Sequence, residues 1–175
     1  MLLSLALLLA PAHAASLAGV TLPDTASVGG QSIPLNGLGL REKYFIDIYV
    51  GGLYLAKPTH DGTEAAATDE PKRMQMHFVY SVSKSQMTDA FNDGFVNSPG
   101  ATSAEQAQLL AMLPDEINKG EDVILDYVPG AGTTITIAGQ KKGTIPGTTF
   151  MKSLFGIYTG PKPPTEDLKK GILGG

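Results

Sequence analysis

The spacing of apolar positions predicts β-structure over the first part of the chain. Residues 20–40 hold short apolar groups separated by Gly, Pro and Asn, which predicts short strands and tight turns, with a hairpin at Gly29-Gly30. Residues 44–55 are rich in aromatic and β-branched side chains, and their continuous apolarity predicts a central strand covered on both faces. The Gly51-Gly52 pair within it predicts a bulge or a close approach of another backbone or a ligand.

The middle of the chain changes from strand to helix periodicity. Residues 60–71 are polar and Ala-rich, which predicts an exposed loop, and the alternation over 73–80 then predicts a half-buried antiparallel strand. The S-x-x-Q pattern of Ser83 and Gln86 is typical of a capping box and predicts a helix over 83–97. A second box at Ser103 and Gln106 predicts another helix, with an apolar stripe of Leu109, Leu110 and Leu113.

The last third repeats the same order of elements. Residues 122–146 predict three strands, the first two joined by a P-G-A-G hairpin, and helices are predicted over 148–155 and 165–173. Strands followed by helices, twice, indicate an α+β fold with helices layered on one face of an antiparallel sheet.

Composition narrows the classes of function. The 175 residues carry a net charge of −4, which disfavours nucleic-acid binding, and contain no Cys, which excludes thiolate zinc sites, thiol catalysis and disulfides. The three His residues are scattered, and no nucleophile-elbow, zinc-protease or phosphate-loop motif is present. The sequence therefore predicts no metal site and no cofactor.

The N-terminus has the features of an export signal. An apolar run from Met1 to Ala10 precedes Ala12 and Ala14, and these small residues fit a signal-peptidase site after Ala14. We therefore expect a signal peptide over 1–14 and one domain over 15–175, periplasmic or secreted, with no membrane-spanning segment after cleavage. A buried N-terminal strand or helix is the alternative, because no Lys or Arg precedes the run.

Two blocks of sequence carry a family resemblance. The segment L-N-G-L-G-L-R-E-K-Y-F-I-D-I-Y-V-G-G-L-Y-L at 35–55 resembles the N-terminal block of the chalcone isomerase family. The segment at 141–174 is similar to the C-terminal block of its bacterial exported branch, and the capped helix at 83–97 occupies the position of the helix that flanks the family's cleft. The resemblance implies an open-faced sandwich, with a long antiparallel sheet against a helical layer and a ligand cleft between them.

The plant enzymes of that family add a phenolate oxygen across an enone, and the resemblance assigns their functional positions here. The family's Arg is retained as Arg41, the strand Thr corresponds to Tyr49, and the late hydroxyl is kept as Ser153. The helix Tyr falls on Met87 and the Asn on Gly94. A thioether is only a weak acceptor, so Met87 cannot replace the phenol. The candidate catalytic residues are therefore Arg41, Tyr49 and Ser153, and the family's helix Tyr and Asn have no counterpart here.

Fatty-acid-binding members of the family suggest a second use of the cleft. We expect a non-catalytic monomer that binds a small amphipathic carboxylate, with an intramolecular lyase or isomerase acting on an enone or phenolic compound as the alternative. The candidate ligand-binding residues are Arg41, Phe45, Tyr49, Met87, Phe91, Gly94, Phe95 and Ser153. Three alternatives stay open: Arg41 pairs with Asp47 or another carboxylate, Arg41 is exposed at a strand start, or the protein is a structural or interaction module whose cleft is filled by its own Met and aromatic side chains.

Overall fold

A computed structural model describes residues 14–175. The predicted signal peptide, 1–14, lies outside the described residues except for Ala14. The strands are β1 (Ala14–Leu17), β2 (Val20–Pro23), β3 (Thr25–Val28), β4 (Gln31–Lys43), β5 (Ile46–Leu55), β6 (Lys72–Phe78), β7 (Val82–Ser83), β8 (Glu116–Ile117), β9 (Asp122–Val128), β10 (Gly132–Ile137) and β11 (Gln140–Ile145). The helices are α1 (Gly62–Ala67), α2 (Lys84–Asn97), α3 (Ser103–Ala111), α4 (Thr148–Thr159) and α5 (Glu166–Ile172).

Seven strands form one antiparallel sheet in the order β11-β10-β9-β6-β5-β4-β3. The remaining strands form two small pairs, β1-β2 and β7-β8. Strands that are neighbours in sequence are neighbours in the sheet, apart from the step from β6 to β9, which spans α2 and α3. The predicted α+β architecture, with a long antiparallel sheet and a helical layer, is confirmed.

One face of the sheet packs against the helices. Along β6, Met74, Met76 and Phe78 are buried on this face, whereas the alternating positions are only partly buried. Side chains of α4 such as Phe150 and Leu154 are completely buried in the same cluster. This two-residue alternation is the half-buried strand that the sequence predicts, with the apolar face towards the main core.

The opposite face is covered in part by the β1-β2 hairpin. Val20 and Leu22 of this hairpin pack on Val50 of β5, so the central strand is buried on both faces as predicted. Further along the same face, Arg73 of β6 and Asp126 of β9 form a bidentate ion pair at 2.6 and 2.7 Å. Direct pairing of opposite charges on neighbouring strands stabilises this partly solvated side of the sheet.

Helix α5 lies directly on the backbone of β4. A Cβ atom at Gly37 would lie 2.2 Å from the carbonyl oxygen of Gly171, and one at Gly39 would lie 2.2 Å from that of Leu168. No side chain fits into this contact. The Gly-Leu-Gly segment thus brings the end of the chain against the strand that carries Arg41.

Four sequence-based expectations are corrected. The segment 60–71 is not all loop, because α1 forms there with Asp61 as its N-cap. The second capping box is Thr102 with Glu105, one residue before the predicted pair. The β4-β5 register shifts elsewhere than at Gly51-Gly52, whose missing side chains make room for Met74 and Leu22 instead. The first tail helix continues four residues beyond its predicted end, to Thr159.

Candidate ligand-binding site

The site is organised around Arg41 at the end of the regular part of β4. Arg41 is paired directly with Tyr49 of β5, on the face of the sheet that carries the helices. The guanidinium carbon lies 5.8 Å from the centroid of the Tyr49 ring, a cation–π contact that orients the side chain towards the core. Gly37 and Gly39 precede Arg41 on the same face, so Arg41 is the first side chain beyond the contact with α5.

An apolar cavity of about 20 Å³ lies beside the guanidinium. The sheet and helices α2 and α4 supply nearly all of its walls, and the segment before α5 closes it; the lining residues are Arg41, Tyr49, Met76, Met87, Ala90, Phe91, Ile157, Tyr158 and Pro164. A space of this size holds about one water molecule. In this conformation the apolar side chains therefore occupy most of the cleft.

Two further cavities are also lined by Arg41. The larger, of about 290 Å³, has a mixed polar and apolar lining and lies towards solvent, between β4, α2 and the segment before α5; its charged lining residues are Arg41, Glu42, Lys43, Asp93 and Lys162. The smaller, of about 50 Å³, lies between Arg41, Ile48, Val82 and Met87. Arg41 thus stands where a polar mouth meets an apolar interior.

The guanidinium of Arg41 lacks a carboxylate partner within the described chain. The ion pairs found over residues 14–175 are Lys57–Glu70, Arg73–Asp126 and His77–Asp122, and none involves Arg41. Its Nε atom is shielded from solvent and has no hydrogen-bond partner. Asp47, the partner considered from the sequence, is exposed. Because a shielded donor without a partner is costly, this guanidinium is suited to an anion from outside the chain.

Two buried tyrosines face the same space. Burial raises the pKa of Tyr49 to about 12, although the positive charge of Arg41 opposes this shift. Burial also raises the pKa of Tyr158 well above the ordinary tyrosine value, and its hydroxyl donates to the sulfur of Met76 at 3.6 Å. A thioether is a weak acceptor. Both phenols therefore stay protonated at neutral pH, and Tyr158 loses little by donating to a ligand oxygen instead.

Comparison with known proteins assigns the family. A model described as chalcone isomerase-like matches residues 14–174. The chain belongs to the chalcone isomerase-like family. Among solved structures, a fatty-acid binding protein from Arabidopsis thaliana superposes on this chain with a TM-score of 0.74. The two share 17% sequence identity over 92% of this chain and 96% of that one. No curated protein matches the sequence significantly.

Four of the predicted site residues of this chalcone isomerase-like protein lie together. Arg41, Tyr49, Met87 and Phe91 all line the inner cavity. Gly94 lines the outer one, where a Cβ atom would lie 2.7 Å from Cγ2 of Ile157. Glycine at this position therefore allows α2 and α4 to approach closely, and no side chain projects into the space that the family resemblance assigns to an Asn.

Three predicted site residues lie elsewhere. Phe45 is 96% exposed in the turn after β4, because the chain reverses at Tyr44-Phe45 and β5 begins only at Ile46. Phe95 is buried between Phe91 and Phe150 in the core and lines none of the three cavities at Arg41. The Ser153 hydroxyl donates to the carbonyl of Ser98, and the Ser98 hydroxyl donates in return to the carbonyl of Ser153. Ser153 thus joins α4 to the end of α2 and does not face the cleft.

Sequence reasoning missed Tyr158, Ile157 and Met76. The first two lie in the last turn of α4, beyond the predicted end of that helix. Met76 is buried as predicted, but only the sheet register places it under the cavity. The signal available for Tyr158 is its spacing of seven residues from Met151, which puts both on one helix face.

The side chains around Arg41 are cationic, phenolic and apolar. Over residues 14–175 no cluster of three or more His, Cys, Asp or Glu side chains has a geometry suited to a metal ion. Helices in the same range are all too short or too polar to cross a bilayer. The arrangement of Arg41 with two phenol donors next to apolar walls is suited to binding an amphipathic anion or to stabilising a developing oxyanion.

Proposed function

We propose that this chalcone isomerase-like protein is exported, and that it is a non-catalytic monomer that binds a small amphipathic carboxylate, such as a fatty acid, between sheet and helices. The observation that carries the proposal is the shielded Nε of Arg41, which has no hydrogen-bond partner at the boundary between a polar mouth and an apolar interior. A guanidinium binds a carboxylate through two parallel hydrogen bonds, which no other side chain does as well.

The apolar part of such a ligand enters the inner cavity by displacing side chains. A volume of about 20 Å³ does not hold an alkyl chain as it stands. Met76 and Met87 line this cavity, and methionine changes rotamer readily because it is unbranched and has three rotatable side-chain bonds. Movement of these thioethers would open the interior without moving the sheet.

Affinity and selectivity come from different parts of the ligand. Burial of each CH₂ group contributes about 0.8 kcal/mol, so a twelve-carbon tail contributes roughly 9 kcal/mol before the entropy costs of binding. A hydrogen bond to a charged group contributes only about 1.5–3 kcal/mol. The tail therefore supplies most of the affinity, and Arg41 selects the head group. The fatty-acid binding protein from Arabidopsis thaliana, which shares the fold, supports this choice of ligand.

Calorimetric titration with laurate and with dodecanol tests the role of Arg41. The Arg41→Ala variant is expected to bind laurate about tenfold to a hundredfold more weakly, because the charged hydrogen bonds are lost, and dodecanol nearly as well as the unchanged protein. Lys141→Gln is the control, since it removes an exposed positive charge from β11. Equal losses for both ligands in Arg41→Ala would contradict the proposal.

Native mass spectrometry of protein purified without detergent identifies the physiological ligand and the oligomeric state. We expect the mass of a monomer with a bound carboxylate that is released by organic extraction.

The same sample tests export, because N-terminal sequencing of protein from the periplasm should begin at Ala15. A mature chain that retains residues 1–14 would contradict the export proposal and leave the ligand proposal unaffected.

A second candidate function is an intramolecular lyase or isomerase for an enone or phenolic substrate. Tyr158 favours it, because this residue supplies the cavity with a protonated phenol that the replacement at Met87 had removed from α2. Beside Arg41, such a donor would stabilise the enolate formed when a phenolate oxygen adds to an enone. Loss of chalcone absorbance with this protein, and its slowing in Tyr158→Phe, is the expected result if this candidate is correct.

A further inference from the structure

The turn between β4 and β5 has an unusual sequence for its geometry. Lys43 and Ile46 are paired across the strands, so Tyr44 and Phe45 form a two-residue hairpin loop. Their φ angles are +50° and +64°, in the left-handed region. A loop with positive φ at both central residues strongly favours Asn-Gly, because bulky side chains are strained there. Two aromatic residues are held in this strained conformation.

The same residues are strongly exposed. Tyr44 is 83% exposed, Phe45 is 96% exposed and Ile46 is 41% exposed. Tyr80, which is 46% exposed, lies at this end of the sheet because its backbone N–H donates to the carbonyl of Ile48. Within residues 14–175 only one other large apolar side chain, Val96, is exposed to this degree. Tyr44, Phe45 and Ile46 lie at the turn and Tyr80 lies at the same end of the sheet; we name these four residues the aromatic tip.

The size and shape of the aromatic tip limit what it binds. A specific protein partner requires about 800 Å² on each side, whereas the two protruding aromatic side chains together would bury only about 300–500 Å². Tyr44 and Phe45 protrude at the end of a two-stranded ribbon, so a folded protein surface would contact little else. Aromatic side chains at a protruding tip are suited to the headgroup region of a bilayer, where their rings are buried and the tyrosine hydroxyl stays hydrated.

Charges around the tip are consistent with a phospholipid surface. The Lys43 ammonium lies 5.5 Å from the centroid of the Tyr44 ring and is available for a lipid phosphate. Glu42 and Asp47 also lie next to the turn, so with Arg41 and Lys43 there are two charges of each sign, and binding does not require anionic lipid. Lys43 also lines both the outer and the smaller cavity at Arg41, which makes the tip continuous with the mouth of the site.

We propose that the aromatic tip inserts into the headgroup region of a phospholipid bilayer and places the mouth of the Arg41 site at the membrane surface. The strained turn then has a physical reason, because burial of two aromatic rings in lipid offsets the cost of holding bulky residues in the left-handed region. The proposal goes beyond the binding of an amphipathic carboxylate and does not require it, since the tip and the guanidinium are separate groups.

The absence of Trp from the chain makes a direct experiment possible. Phe45→Trp places the sole indole at the tip, and its emission should shift to shorter wavelength with phosphatidylcholine vesicles and be quenched by brominated lipid. Ala131→Trp is the matched control. Ala131 is exposed in the turn between β9 and β10. This turn lies at the opposite end of the sheet from the tip, because the far end of β5, at Leu55, pairs with Lys72, which pairs in turn with Tyr127 at the end of β9. An emission spectrum of Phe45→Trp that vesicles leave unchanged would overturn the proposal.

A second variant separates membrane binding from folding. The double variant Tyr44→Asn with Phe45→Gly has the residues that this turn favours. The midpoint of its thermal unfolding should therefore be equal to or above that of the unchanged protein. Its sedimentation with phosphatidylcholine vesicles should fall at least about tenfold, because the aromatic anchors are gone. Undiminished sedimentation would overturn the proposal. An emission shift in Phe45→Trp that depends on protein concentration without vesicles would also overturn it, and would assign the tip to a second copy of the chain.

The Arg41→Ala variant keeps this test independent of the proposed ligand. It should sediment with vesicles as the unchanged protein does, even where its titration with laurate is weakened. Loss of vesicle binding in Arg41→Ala with the tip intact would show that lipid enters through the cleft alone, and would overturn insertion of the tip.

Discussion

Lys72 is a fully buried lysine whose ammonium caps a helix end. Its Nζ donates to the carbonyl of Ala65 at 2.6 Å and to the hydroxyl of Thr68 at 3.1 Å, at the C-terminus of α1. It also lies 5.5 Å from the Phe155 ring centroid. A cation is favourable at this end of a helix, but its removal from water is costly. Burial is the larger effect and lowers the pKa of Lys72 to about 8.

This shift predicts that the protein becomes more stable as the pH rises above about 8. Above this pH the unfolded chain, in which the lysine pKa is 10.5, binds more protons than the folded chain. The free energy of unfolding increases with pH wherever the unfolded state binds more protons. Asp69 and Glu70 oppose the shift, and Lys152 adds to it.

The expected gain in unfolding free energy from Lys72 is roughly 1–2 kcal/mol between about pH 7.5 and 9.5. Urea unfolding of the unchanged protein and of Lys72→Met at both pH values measures this gain. Tyrosines that ionise only in the unfolded state affect both proteins equally, so their contribution cancels when the two pH dependences are subtracted. Equal pH dependence in both proteins would show that Lys72 is charged in both states over this range.

At the scale of elements, α2 is positioned by its N-terminal cap and by close contact with α4. The Ser83 hydroxyl accepts from the backbone N–H of Gln86 at 3.3 Å, and the Gln86 side chain accepts from that of Ser83 at 2.8 Å. From this start, Met87 and Phe91 are one helical turn apart and face the cavity. The cap therefore helps to determine which side chains α2 presents to the cavity.

Loss of this cap should destabilise the protein without removing any side chain that lines the cavity. Ser83→Ala is expected to lower the free energy of unfolding by about 0.5–2 kcal/mol, because the backbone N–H of Gln86 loses its acceptor. Ser85→Ala is the matched control, since Ser85 is exposed within the first turn and alanine is the better helix former. Denaturant unfolding checks both, and an equal effect of the two substitutions would show that the box contributes nothing.

At the scale of the whole molecule, one large core joins sheet and helices, and smaller clusters lie on the opposite face. Leu168 of α5 belongs to the main cluster and is completely buried over the backbone of Gly39. Leu22 belongs to the small cluster that attaches the β1-β2 hairpin to Val50. The two leucines are similarly buried but differ in how much of the molecule depends on them.

Leu168→Ala should reduce the global stability by about 2–5 kcal/mol, because its cavity lies in the main core. Leu22→Ala should lower it by roughly half as much or less, because the hairpin can separate locally while the sheet and helices stay folded. Hydrogen exchange should then be faster over residues 14–23 in Leu22→Ala, and throughout the chain in Leu168→Ala. A uniform increase in the hydrogen-exchange rate along the chain in both variants would show that the hairpin unfolds together with the core.

The elements themselves were largely predictable because their signals are local. Alternation along β6, the turn at Gly29-Gly30 and the box at Ser83 depend on residues at most a few positions apart, and the structure confirms each of them. The errors occurred where local signals are weak or in competition. Thr102 and Ser103 both fit an N-cap, and the aromatic residues at 44–45 have strand propensity yet form a turn.

The sequence by itself determined the α+β class and most elements, and its resemblance to the chalcone isomerase family made Arg41 a candidate site residue. Only the tertiary structure decided which side chains surround that guanidinium. Tyr49 meets Arg41 through strand register, whereas Tyr158 arrives through helix packing from a distant part of the chain. It also decided that Phe45 faces solvent and that Lys72 is buried. Such contacts depend on how separate elements pack, which the spacing of residues within one element does not specify.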